Sequence, residues 1–241
     1  MKQVIHIARR ELGTFFDSLS AYILIVMFLG FSGFFTWVYG ADIFLLGQAS
    51  LHTFFLVAYW SLFFFIPSLT MRSIAGELKS GTLELLLTKP VSDWQVILGK
   101  FLSTHILISI TLSPTIVYYL SLWSIGQVDH AAIWSGYLGL LLMSGVYISI
   151  GLFTSSITNN SIIAYLLALF IGIFFHYFFE MFSKGLIGVS GTIFSYLSLS
   201  THYESISRGV IDSKDMIYFL SLTYMGLYVS KQIMSTRSLQ V

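Results

Sequence analysis

Charge is nearly absent from long stretches of this chain and crowded into short ones. Only 10% of the 241 residues are Asp, Glu, Lys or Arg, while 56% are hydrophobic. Between the charged islands lie apolar runs of about 20 residues, the length that crosses a hydrocarbon core. The pattern excludes a soluble globule and leads to an all-α, polytopic membrane protein. Six transmembrane helices are expected: Ser20–Tyr39, Leu51–Met71, Val96–Trp123, Ala132–Phe153, Ile162–Phe182 and Met216–Lys231. An even number of spans puts both termini on one side.

The densest island, Arg72 to Lys100, lies between the second and third spans and holds seven charged residues. Charge at that density must lie in water. Glu77 and Glu84 are two helical turns apart. Gly81 is expected to break the helix between them. Thr82 could cap a second helix, with Glu84 in its first turn favoured by the helix dipole. The leucines Leu83 and Leu85 to Leu87 give this element an apolar side, and Pro90 ends it. Ser92 and Gln95 have the spacing of a capping box and should start the third span, with Lys100 still near water. Such an element, held between two spans, suits a part pushed on by something soluble.

The first 17 residues read as an amphipathic helix lying on the membrane surface: Val4, Ile5, Ala8, Leu12, Phe15 and Phe16 recur at helical spacing. Polar and charged residues stand where a cleavable signal needs its apolar core. With the N-terminus in the cytoplasm, nine Lys and Arg residues fall inside and three (Lys184, Arg208, Lys214) outside, a positive-inside bias. The segment 183–214 is Gly- and Ser-rich and too short to cross and return. It is expected as a re-entrant hairpin in the outer leaflet followed by a polar connector, with Asp212 or Ser213 capping the last span.

The Arg72–Lys100 island resembles the cytoplasmic coupling region of ABC-2 type permeases, the membrane subunits of ATP-driven exporters. The matching residues are Glu77, Gly81, Thr82, Glu84, Leu85, Leu86, Pro90, Gly99 and Lys100. The N-terminal surface helix and the outer hairpin extend the resemblance over essentially the whole chain, read as one transmembrane domain, 1–241. Within it are an interfacial helix (1–17), a coupling region (72–95), and an outer hairpin with its connector (183–214). The connector is similar to that of the gliding-motility-associated branch. The resemblance implies a non-catalytic subunit of the bacterial inner membrane. ATP and Mg would be bound by a separate ATPase dimer meeting Glu77, Gly81, Thr82, Glu84, Leu85, Leu86, Pro90 and Lys100. It also implies a second permease, identical or related, with a periplasmic domain in the gliding type.

The motif search agrees. The chain contains no G-x4-GK[ST] loop, so ATP cannot bind in the P-loop manner, and no H-E-x-x-H or G-x-S-x-G pattern. It has no Cys, which removes disulfides and thiolate chemistry, and a net charge of +1, which argues against a nucleic-acid partner. The spans lack the buried carboxylates of proton- or sodium-coupled carriers, which disfavours an ion-coupled carrier or channel. A subunit that transmits force to a surface machine, with nothing transported, stays open beside the exporter. His105, Ser109 and Ser113 form a polar stripe on the third span, read either as path lining or as interhelical hydrogen bonding. Ala164, Ala168, Gly172, His176 and Glu180 wind around the fifth span, chiefly as a packing surface. The Phe residues of the first two spans face lipid or helix contacts.

Overall fold

The computed structural model describes residues 2–39, 43, 49–82, 91–186 and 188–238, and among these there are helices and no strands. In order they are α1 (Lys2–Asp17), α2 (Leu19–Gly33, continued by a π-helical turn Phe34–Val38) and α3 (His52–Thr70). Next come the short α4 (Ala75–Ser80) and α5 (Asp93–Leu112), which passes through the turn Ser113–Thr115 into α6 (Ile116–Ile125). Helix α7 (His130–Ile157) is followed by α8 (Ser161–Ile173), and a π-helical turn Phe174–Phe178 leads from it into α9 (Phe179–Gly185). The chain closes with α10 (Val189–Leu197), α11 (Leu199–Ser207) and α12 (Ser213–Ser238).

Among the described residues, five stretches are long and apolar enough to cross a membrane: Leu19–Val38, His52–Ser80, Asp93–Ile125, His130–Ile157 and Ser161–Gly185. The third expected span therefore extends at both ends, started by the Ser92–Gln95 capping box, in which each side chain bonds the other's backbone N–H. The fourth runs on through the serines of SSITNNS, so only residues 158–160 turn, and Asn160 caps α8. Helix α12 has 26 residues, but its tyrosines, serines and Lys231 keep it out of that apolar set. It nevertheless lies along α7. Gly226 approaches Ser149, Thr223 approaches Gly145, and Arg237 donates to Asn159 Oδ1 (3.0 Å) and Ile157 O (2.6 Å) past the end of α7.

Helix α7 is the axis of the bundle. Its membrane-length window is 78% buried, against 28% for Leu19–Val38 and 22% for Ser161–Gly185. Lipid tails are as apolar as leucine, so helices associate there by close packing rather than by escape from water. Small residues on several sides of α7 supply that closeness. A Cβ on Gly136 would lie 2.6 Å from the Phe55 ring of α3, one on Gly139 3.2 Å from Tyr203 of α11, and one on Gly151 2.7 Å from Thr70 Cβ. Several hydroxyls within this core bond their own helix, as Ser144 does to Leu140 O and Thr111 to Leu107 O. At one end, His202 of α11 joins α12: its Nε2 donates to Tyr196 O, and its Nδ1 lies 2.6 Å from the buried Asp215 carboxylate. Asp212 caps α12 by accepting from Lys214 N.

The α3–α7 crossing yields a prediction. Gly151→Val puts two methyl groups into backbone already touching Thr70, and overpacking of this kind costs roughly 1–3 kcal/mol. Thermal unfolding in detergent should show a lowered midpoint, and an unchanged one would mean the crossing has slack.

Candidate functional site at the charged end of the bundle

Helix α3 ends at Thr70, whose hydroxyl bonds Ile66 O, and the chain turns through residues 71–74 before α4 begins. The first N–H groups of a helix have no partner within it. Here the fully buried Ser155 of α7 supplies one. Its Oγ accepts from Ile74 N (3.1 Å) and Ala75 N (3.0 Å), while its hydroxyl donates to Met71 O (3.1 Å). One hydroxyl thus fixes the end of α3 and the start of α4 to the central helix. Gly81 ends α4 in the left-handed conformation (φ 68°), its N–H turned back to the carbonyls of Glu77 and Leu78.

The second anchor is ionic. Lys100, the residue after the close-packed Gly99 of α5, has a side chain only 1% exposed. An ammonium so deeply buried is destabilising unless it is paired and hydrogen-bonded. Its three donors meet three oxygens: Ser73 O at 2.7 Å, Glu77 Oε1 at 2.7 Å and Glu11 Oε2 at 3.5 Å. Arg10 completes the group, bonded to Glu11 and 3.7 Å from Glu77. The Glu11 hydrogen bond holds the Arg10 guanidinium above its ordinary value in spite of burial, and Glu77 adds to this. Two cations and two carboxylates therefore close a neutral cluster that joins α1, α4 and α5. The backbones meet closely as well, since a Cβ on Gly99 would lie 2.5 Å from Ile7 Cγ2 of α1.

Of the residues singled out in the sequence, Glu77 and Lys100 are brought together and Gly81 ends the helix as expected. Thr82 is exposed, its hydroxyl 2.8 Å from that of Ser80. Glu84, Leu85, Leu86 and Pro90 lie outside the described residues. His105, Ser109 and Ser113 lie farther along α5 and in the turn that follows it. The His105 ring stacks on Phe101 at 5.5 Å, and its Nδ1 has no partner among the described residues. Ser109 donates to His105 O and the exposed Ser113 to Ile110 O, so both bond their own helix. Arg10, Glu11 and Ser155 were not singled out. An adjacent Arg–Glu pair on an amphipathic helix carries no sign of a distant partner, and Ser155 sits in a polar run that reads as a turn.

Apolar helices around a small-residue axis define a multi-pass helical membrane protein. The chain belongs to the ABC-2 transporter family: the family model described as "ABC-2 family transporter protein" matches residues 7–216, from within α1 to the start of α12. It is thereby a membrane subunit of an ABC transporter, a kind of subunit normally non-catalytic and associated with an ABC ATPase. A search of curated proteins finds no match.

Unequal mutational effects are expected across the cluster. Glu77→Ala leaves Lys100 buried with only Glu11 and a carbonyl, a loss on the order of 3 kcal/mol. Lys100→Met removes the buried charge itself and strands only part-exposed carboxylates that Arg10 still serves, so it should destabilise less. Denaturant unfolding in detergent micelles gives the order directly, and the reverse order would show that the ammonium is not desolvated.

Proposed function

We propose that this chain is the permease subunit of an ATP-driven exporter in the bacterial inner membrane, with both termini cytoplasmic. Helix α12 would serve as a sixth span, α1 as an interfacial helix, and the segment 183–214, which holds α10 and α11, as the outer re-entrant hairpin and its connector. Residues 72–95 would receive the stroke of a separate ATPase dimer that binds ATP and Mg. One observation carries the reading: α4 is tied to α7 through Ser155, to α5 through Lys100 and to α1 through Arg10, whose guanidinium lies 3.7 Å from Glu77. A solvated loop would absorb displacement, whereas an element fastened to three helices passes it into the bundle as a shift between two packed states. The cations support the orientation, since Arg10, Arg72, Lys79, Lys100 and Arg237 lie at the α4 end and Lys184, Arg208 and Lys214 at the other. We assign the path to the face bearing His105, Ser109 and Ser113, against a second permease, identical or related. The connector's likeness to the gliding branch favours a partner with a periplasmic domain.

Two experiments address this. Ser155→Ala removes the shared acceptor of two buried N–H groups, at about 1–3 kcal/mol. In membranes containing the whole complex it should leave the ATPase bound but uncouple hydrolysis from transport, as should Gly81→Val, while Glu84→Ala should weaken ATPase association or coupling. Normal coupling in all three at normal abundance would make this region a passive connector. For orientation, cysteines at Lys79 and Ser207 are labelled in intact cells with an impermeant maleimide. Only Ser207→Cys should react, and labelling at Lys79 alone would invert the topology.

A further inference from the structure

At the end of the bundle away from Lys100, the N-termini of α3 and α7, the π-helical turn before α9, and α11 line a half-open cavity of about 410 Å³. That volume falls in the range of small-molecule sites. Among the described lining residues are five Phe, Tyr and Trp rings, those of Phe55, Tyr59, Trp60, Tyr177 and Tyr203, beside the imidazoles of His52 and His176. Tyr59 stacks on Tyr203 at 4.8 Å, and Trp60 meets Tyr177 at 5.6 Å. Asp129, Glu180 and Glu204 are in the same wall, and among the described lining residues there is no Lys or Arg. Lys184 offsets Glu180, to which Ser200 also donates, and Asp129 caps α7 by accepting from Ala132 N; three carboxylates against one lysine leave the wall net negative, with Asp129 and Glu204 lacking a cation of their own. A π-helical turn is a local widening that recurs at functional sites, and this one carries His176 and Tyr177 into the wall.

The deciding observation is Tyr203. It is 7% exposed and forms part of the wall, yet its hydroxyl has no hydrogen-bond partner among the described residues. Buried hydroxyls are nearly always paired, so this one calls for a partner that the described residues do not supply. An anion would meet three carboxylates and, among the described lining residues, no Lys or Arg. A neutral apolar molecule would fill the volume and leave both the carboxylates and the hydroxyl unanswered. A cation with an apolar body answers all three, because aromatic faces attract cations and the carboxylates add charge.

We propose that this cavity binds a protonated organic amine, with its ammonium between the aromatic faces and the Asp129 and Glu204 carboxylates and one N–H donated to the Tyr203 hydroxyl. A phospholipid amine would bring a phosphate for which the lining offers no counter-charge, so the ligand is a free amine. This inference goes beyond the permease reading and does not depend on coupling to ATP.

The test is calorimetric titration of the purified full-length chain in mild detergent with phenethylammonium, and with 2-phenylethanol and phenylacetate as neutral and anionic controls of the same body. Phenethylammonium should bind at least about tenfold tighter than either control, with Trp60→Leu weakening it roughly 2- to 30-fold. Tyr203→Phe keeps the ring, so it should weaken binding about two- to tenfold without lowering the unfolding temperature. A merely structural cavity would leave amine binding in Tyr203→Phe unchanged. That result, or binding of the amine no better than 2-phenylethanol, overturns the proposal whether or not the chain couples to an ATPase.

Discussion

The structure at its charged end depends on one buried ammonium. Lys100 is held within a helix of membrane-spanning length, and a charge there is tolerated only with oxygen partners on every donor. Those partners come from the turn before α4, from α4 itself and from α1, so satisfying one side chain fixes three backbone elements. Burial makes the arrangement specific. An exposed lysine could exchange partners freely at about 0–1 kcal/mol, whereas a desolvated one leaves few alternative placements for Glu11 and Glu77.

Two kinds of fastening meet at α4, and they answer different needs. Ser155 is neutral and satisfies backbone groups that a broken helix exposes, so it keeps the α3–α4 bend attached to the axis at any ionic strength. The Lys100 group is electrostatic and ties the same element sideways to α1 and α5. In the proposed permease, a push on α4 therefore reaches the axis through hydrogen bonds and the flanking helices through charge. Helices α2 and α8 remain largely exposed at the edge of the bundle, where lipid or a second subunit would cover them.

Much of this was legible in the sequence, because crossing a membrane leaves a one-dimensional record. Apolar length gave five spans to within a few residues, and local chemistry gave the Gly81 stop and the Ser92–Gln95 cap, since both motifs involve residues within one turn of each other. The last helix was legible as a helix but less so as a span. Its polar groups, such as Thr223 and Ser230, are tolerated because they pack on α7 or bond their own backbone. What could not be read were the long-range pairings. Nothing near Glu11 announces Lys100, and Ser155 looks like turn material until the fold brings Ile74 and Ala75 to it. The aromatic cavity was hidden for the same reason, since Tyr59, His176 and Tyr203 come from three separate segments.

The wide sequence spacing of the ion cluster also imposes an order on biogenesis. Helix α1 is made first, carrying Arg10 and Glu11, but its anchoring lysine emerges only after the first two apolar helices and α4 have been synthesised. Until then Glu11 lacks its buried ammonium, and the ionic contact open to α1 across the cluster is that of Arg10 with Glu77. Lys100 then brings a cation whose oxygens come from three elements made before it, so the cluster is complete only once α5 is in place. The cluster thus acts as a late latch in assembly, closing only on a chain that has already threaded its first hairpin.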